Sequence, residues 1–156
     1  MDVKLYKIND LKDQINIVRK KKLIIGFTNG CFDLLHEGHI CLLSNSKKLC
    51  DYLIVGLNSD NSVQILKGKN RPIDKENMRV RNLSLRPEVD AIILFYEETP
   101  LRLISELIPD ILIKGSDYKE KKVVGSDIVI DNGGTIEFID LLKGYSTSRI
   151  IEKVNQ

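Results

Sequence analysis

Five short, near-continuously apolar runs constrain this chain more than any other feature: residues 23–28, 52–58, 90–95, 110–115 and 135–140. Strict alternation of apolar and polar residues marks strands with one wet face. Unbroken apolar character marks strands covered on both faces, as in a parallel sheet. Stretches with helical spacing separate the runs. Residues 38–49 bring Ile40, Leu43 and Lys47 to one side, with Leu42 and Leu49 on the flank. Residues 74–85 open on an acidic cap and are closed by Pro87. Thr99-Pro100 sets a cap residue before a proline at the first helical position, predicting a helix to Leu107. Residues 146–154 turn Ile150 and Ile151 toward a core, and a helix over about 9–20 places Leu11, Ile15 and Val18 on one face. This alternation predicts an α/β fold: a Rossmann-like, doubly wound, parallel five-stranded sheet with ligands at the carboxyl ends of its strands. No stretch reads as a linker, repeat or low-complexity segment. The 156 residues are therefore read as a single domain, an N-terminal helix over about 9–20 followed by an α/β core over about 23–154.

Charge and cysteine usage narrow the function classes. Lys+Arg is 24 and Asp+Glu is 22, a net charge of +2. That excludes the concentrated basic footprint of a nucleic-acid-coating protein. The longest apolar stretches run about five residues, where a membrane span needs roughly 20. Asp2 and Asp10 flank no apolar signal region. Cys31, Cys41 and Cys50 are an odd count in a chain long enough to need no staple. The expectation is a cytoplasmic protein with reduced thiols and neither a membrane nor a nucleic-acid partner.

The first run ends in Thr28-Asn29-Gly30-Cys31-Phe32-Asp33-Leu34-Leu35-His36-Glu37-Gly38-His39. This is neither a dinucleotide fingerprint nor a phosphate loop. It is a turn followed by two histidines three apart, which share a helical face. Gly38 removes a side chain between them. The helix start adds N–H donors and partial positive charge. Together these suit a polyanion, with imidazoles donating to phosphate oxygens. Three other readings stand beside it. Cys31, His36, His39 and Cys41 form a metal site only without the long spacer that separates zinc-finger ligand pairs. The histidines taken in isolation read as plain packing at a helix start. Cys31 reads as a nucleophile, but no third, orienting residue is evident.

Other strand ends tip the balance. Asn58 and Asp60 follow the second run, then Leu66-Lys67-Gly68-Lys69-Asn70-Arg71-Pro72, and then Arg79 on a helix. Lys114-Gly115-Ser116-Asp117-Tyr118 follows the fourth run, and Lys143-Gly144-Tyr145-Ser146-Thr147-Ser148 the fifth. Each has an ordinary reading alone: a solvated basic loop, a surface arginine, an N-cap by Ser146. Their common place at strand ends favours a phosphate site.

The Gly30 to His39 stretch resembles the first signature of the cytidylyltransferase-like nucleotidyltransferase superfamily, and Gly144 to Ser148 resembles its second. Within it the chain is most similar to the heptose 1-phosphate adenylyltransferases, which in many bacteria form the second half of a bifunctional kinase/adenylyltransferase. The matching words are Thr28 to His36, Leu66-Lys67-Gly68 with Arg71-Pro72, Glu98-Thr99-Pro100, Pro109-Asp110, Lys114-Gly115 with Asp117-Tyr118, and Val124-Gly125. Related glycerol-phosphate cytidylyltransferases tend to carry Arg-Thr-Glu-Gly where Leu141-Leu142-Lys143-Gly144 stands, and to differ at Lys114 and Ser116.

The resemblance implies an HxGH-type fold and AMP transfer from ATP to D-glycero-D-manno-heptose 1-phosphate. The products would be ADP-heptose, for bacterial surface polysaccharide, and pyrophosphate. The alternative is a cytidylyltransferase acting on glycerol 3-phosphate or a similar polyol or amino-alcohol phosphate. It implies catalytic roles for His36, His39, Lys67 and Arg79, with Arg79 holding the leaving phosphates. Asn29, Gly30, Cys31, Phe32, Asp33 and Gly38 would bind nucleotide. Lys114, Gly115, Asp117 and Tyr118 would line base and ribose, and Ser146, Thr147 and Ser148 the β/γ end. Asn58, Asp60, Arg71, Glu98 and Thr99 would serve the acceptor. Mg²⁺ would come with ATP, Asp33 orienting the loop or a metal-bound water. The resemblance also suggests a homodimer.

Overall fold

In a computed structural model that describes residues 3–140 and 151, all five apolar runs become strands. These are β1 (Ile25–Gly30), β2 (Tyr52–Asn58), β3 (Ala91–Phe95), β4 (Ile111–Gly115) and β5 (Thr135–Ile139). They form one sheet in the order β3-β2-β1-β4-β5, and every pairing is parallel. Polar residues at the edges of the runs stay outside the strands for a physical reason. Asp90 accepts a hydrogen bond from the Leu53 N–H at 2.8 Å, and Asp110 accepts one from the Ile25 N–H at 2.8 Å. Both aspartates cap orphan donors at the sheet's amino edge.

Helices cover both faces, as near-continuous apolar strands require. On one face lie α1 (Ile8–Lys20), α5 (Leu101–Leu107) and α6 (Ser126–Asp131). Leu11, Ile15, Leu103, Ile104 and Val129 pack there against Ile25, Phe27 and Leu112. The other face carries α2 (Glu37–Lys48) and α4 (Glu76–Ser84), whose Leu43, Val80 and Leu83 meet Leu53, Val55 and Ile113. Burying each such side chain contributes about 1.5–3 kcal/mol, whereas an exposed ion pair contributes about 0–1. The two apolar layers therefore hold the sheet, and the surface charges are secondary.

Three details differ from expectation. An additional helix, α3 (Asp60–Lys67), occupies the segment after β2. It buries only Ser62 and Val63, too little apolar periodicity to announce a helix. The short α6 escapes notice for the same reason, burying Val129 alone. On α2 the buried positions are Leu43 and Ser46, while the Lys47 ammonium reaches Asp90 at 2.6 Å. The helix expected over 146–154 lies outside the described residues. Among the described residues no helix is long and apolar enough to cross a membrane.

From β1 the sheet grows toward β2 on one side and β4 on the other. Connections therefore diverge above the carboxyl ends of β1 and β4, which opens a crevice there.

Candidate active site

A cleft of about 520 Å³ occupies that crevice. The end of β1 and its loop contribute Asn29, Gly30, Cys31, Phe32 and Asp33, and the start of α2 contributes His36, Gly38 and His39. Asn58, Lys67 and Arg71 come from the β2 side, and Glu98 and Thr99 from the loop before α5. Lys114, Gly115, Asp117 and Tyr118 close the β4 side. Pro100, expected near the acceptor with Glu98 and Thr99, lines the cleft too, and Leu42, Leu66, Lys122, Val123 and Val124 line it without having been assigned a role from the sequence. Most are apolar, and a sequence offers no sign that distinguishes an apolar wall from core. Ser146, Thr147 and Ser148 lie outside the described residues.

The histidines are locked by the helix they open. His36 is the N-cap of α2, with extended backbone at φ −129° and ψ 177°. Its Nδ1 accepts from the N–H groups of Gly38 at 3.1 Å and His39 at 3.4 Å. His39 Nδ1 accepts in return from the His36 N–H at 3.3 Å. The result is a capping box built from two imidazoles. The rings stack 3.7 Å apart at 19°. A ring nitrogen that accepts carries no proton, so each neutral ring holds its hydrogen on Nε2. Burial pushes the His36 pKa down. Burial, and then the adjacent His36, push His39 down to about 3. The pair thus presents neutral, oriented rings at the helix start rather than cations.

The loop between β1 and α2 is held under strain. Phe32 (φ 48°) and Leu34 (φ 51°) adopt left-handed backbone without being glycine. Such residues each cost on the order of 1–3 kcal/mol and persist where surroundings over-determine them. Phe32 is buried in the α2–α4 layer. Asp33, buried beside it, accepts from Arg71 Nε at 3.0 Å and from the N–H groups of Ile73 and Asp74, each at 2.8 Å. Burial alone would raise the Asp33 carboxyl. The Asp74 and Ile73 amides and Arg71 outweigh it and hold the group below the ordinary aspartate value.

Arg79 and Asp60 sit elsewhere than expected. Arg79 is fully buried at 0% exposure and is not on the cleft wall. It donates to the carbonyls of Asp74 at 2.9 Å, Cys31 at 2.9 Å and Asn58 at 2.7 Å, and to Asp60 Oδ1 at 2.8 Å. Asp60 also accepts from the Glu76 N–H at 2.8 Å. Arg79 thus ties the first loop, the end of β2 and the approach to α4 together beneath the cleft, and Asp60 Oδ1 is engaged by Arg79 and the Glu76 N–H. Asn58 is buried and donates to Ser62 Oγ at 2.8 Å while still edging the cleft.

Cations with different surroundings flank the cleft. Lys67 is exposed at the end of α3, before Gly68 in left-handed backbone at φ 106°. Lys114 donates to Asn29 Oδ1, and its ammonium lies 5.2 Å from the Tyr118 ring centroid. Burial pushes Lys114 down to about 8, against the pull of Asp117. Glu98 and Thr99 are exposed at the rim.

Burial pushes the Cys31 thiol above its ordinary value in spite of Lys67, Arg79 and Arg71 nearby. That opposes the thiolate a nucleophile requires. Among the described residues no three His, Cys, Asp or Glu side chains are grouped to hold a metal. Both Asp33 oxygens already accept donors. These residues therefore do not fit a protein-held Mg²⁺; any such ion would come with a nucleotide substrate.

Known proteins share this arrangement of chain. A bifunctional protein HldE from Rhodospirillum rubrum is 47% identical over 154 residues, covering 99% of this chain and 31% of that protein. One from Campylobacter jejuni subsp. doylei is 51% identical over 148 residues, covering 95% and 31%. The chain thus spans under a third of the length of these curated relatives. Among solved structures, a lipopolysaccharide core biosynthesis protein from Thermoplasma volcanium matches with TM-score 0.61 at 34% identity, over 80% of this chain and 99% of that one. A pantoate-β-alanine ligase from Francisella tularensis shares the fold at TM-score 0.61 and 15% identity, over 99% of this chain and 80% of that one. The family model for cytidylyltransferase-like proteins matches residues 27–153. From the middle of β1 to beyond β5, this chain belongs to the cytidylyltransferase-like family.

Proposed function

We propose that the chain transfers AMP from ATP to a sugar 1-phosphate, D-glycero-D-manno-heptose 1-phosphate, releasing pyrophosphate. An acceptor phosphate oxygen attacks the α-phosphorus. The bond from that phosphorus to the bridging oxygen of the β-phosphate breaks, and pyrophosphate leaves with the electron pair. The nucleophile is already an anion at neutral pH, so no general base is required. Catalysis consists of holding two polyanions in line and stabilising charge as it moves.

One observation carries this reading: the imidazole capping box beside the cleft. It fixes two neutral Nε2–H donors at a helix N-terminus, an arrangement suited to phosphate oxygens. Preorganised neutral donors stabilise developing charge without reorganising during the reaction. Lys67 at the end of α3 and Arg71 in the loop after it supply positive charge toward the phosphates. Mg²⁺ carried by the nucleotide neutralises further charge. The acceptor's identity draws on the HldE relatives and on the lipopolysaccharide core biosynthesis protein.

The test is pyrophosphate release with ATP, GTP or CTP paired with heptose 1-phosphate or glycerol 3-phosphate. Turnover with ATP and heptose 1-phosphate is expected. Turnover confined to CTP and glycerol 3-phosphate would install the cytidylyltransferase alternative. Silence across the panel would remove nucleotidyl transfer to these acceptors.

A further inference from the structure

We propose that Lys114 seats the acceptor's phosphate on the wall of the cleft opposite the histidine helix, and so selects a phosphomonoester as acceptor. This deepens the functional reading above and rests on it. Strand register sets the placement of Lys114. Phe27 of β1 pairs with Leu112 of β4, and both side chains enter the layer under α1 and α5. Ile113 points into the opposite layer, with α2 and α4. Side chains along a strand alternate, so two residues further on Asn29 and Lys114 return to the α1–α5 side. The hydrogen bond from Lys114 Nζ to Asn29 Oδ1 agrees with that placement. Glu98, Thr99 and Pro100 line the cleft immediately before α5, and so belong to this same wall.

The cleft therefore has two chemically distinct walls. One carries neutral imidazole donors at the start of α2. The other carries a half-buried ammonium. Among the described residues Lys114 forms no ion pair; its contacts are an amide oxygen and the face of Tyr118. A cation whose nearby carboxylate, Asp117, acts on it without forming an ion pair still gains from an anion that enters the cleft. In-line displacement requires the attacking and leaving oxygens on opposite sides of the phosphorus. With the nucleotide's leaving phosphates against the histidine helix, the incoming phosphate must approach from the other wall. That wall is where Lys114 stands, which makes it a binding residue for the acceptor rather than for base or ribose.

Steady-state kinetics of Lys114→Gln and Lys114→Arg test the assignment, with melting curves to confirm folding. The expected result for Lys114→Gln is a KM for heptose 1-phosphate raised at least about tenfold, with KM for ATP within about twofold. Lys114→Arg should recover part of the loss by restoring the charge. A selective rise in KM for ATP, or acceptor binding left unchanged, would overturn the proposal. A second measurement uses the native chain. In its ¹⁵N-lysine NMR spectrum the Lys114 signal, identified by its loss in Lys114→Arg, should shift with heptose 1-phosphate and less with a non-hydrolysable ATP analogue. The reverse order of response would also overturn it. A shift with heptose 1-phosphate but no pyrophosphate from any nucleotide would keep the acceptor site and remove the reaction. Normal turnover by Lys114→Gln would do the opposite.

Discussion

His36 and His39 cap each other: the Nδ1 of each ring accepts a backbone N–H of the other residue, and the rings stack 3.7 Å apart. Both rings are thereby fixed in one tautomer before any ligand arrives. His39→Ala removes one oriented donor, and a donor aimed at developing charge is typically worth about 100- to 1000-fold in turnover. It also removes the cap on the His36 N–H, for a loss of about 1 kcal/mol in stability. The expected variant is folded, slightly less stable, and at least about 100-fold slower in pyrophosphate release. Near-native turnover in a purified, folded sample would remove His39 from phosphate chemistry.

The same burial sets a pH dependence. His39 is held near 3 in the folded chain, against an ordinary value of 6.5. Below 6.5 the unfolded chain binds a proton that the folded chain refuses, so stability falls as pH drops. The window runs from about 6.5 down to about 3. Asp33 adds a second loss at lower pH, because its folded value lies below the ordinary 3.8. Urea midpoints of the native chain should therefore decline across the upper part of this range. Replacing His39 by Gln should flatten that decline. An equally steep decline in His39→Gln would mean that other groups cause it.

The sequence makes some of this legible and hides the rest. Near-continuous apolar runs identify all five strands, because burial on both faces leaves no room for alternation. The histidines alone read as packing at a helix start, and become visible as a site only beside the polar residues at the other strand ends. Arg79 is not legible in the same way. A motif places the residue on a helix, but only the folded chain shows its guanidinium turned inward onto three carbonyls. Lys114 likewise reads as one more polar residue after a strand. Its placement against Asn29 follows from the parallel pairing of β1 with β4, a tertiary fact. Helix α3 stays hidden because its segment offers only Ser62 and Val63 to the core.

Asp33 ties the histidine loop to the α3–α4 loop through Arg71 and the N–H groups of Ile73 and Asp74. Asp33→Ala leaves these donors facing an apolar gap. Breaking a buried pair in this way costs about 3–5 kcal/mol. The expected outcome is a large fall in denaturation midpoint together with loss of turnover. Asp33→Asn keeps the shape but brings an amide N–H against donors, so it should fall between the two. The Mg²⁺ concentration for half-maximal rate should stay the same in Asp33→Asn, since both oxygens accept donors in the native chain. A marked rise in that concentration would make Asp33 a metal ligand after all.

Arg79 offers a sharper separation between bracing and binding. Its guanidinium joins the first loop through Cys31, the end of β2 through Asn58 and the approach to α4 through Asp74. Lysine keeps the charge but cannot reproduce a planar fork of donors. In Arg79→Lys some of these buried carbonyls lose their partner, at about 1–3 kcal/mol for each group left unsatisfied. With a urea slope of about 2 kcal/mol/M, the midpoint should fall by roughly 0.5–1.5 M per orphaned group. Because the brace holds both sides of the cleft, KM for nucleotide and for acceptor should rise together while kcat falls. An arginine that instead grips the leaving phosphates makes a different forecast: an intact denaturation midpoint and a kinetic defect confined to the nucleotide. Chemical denaturation and two-substrate kinetics on the same Arg79→Lys preparation decide between them.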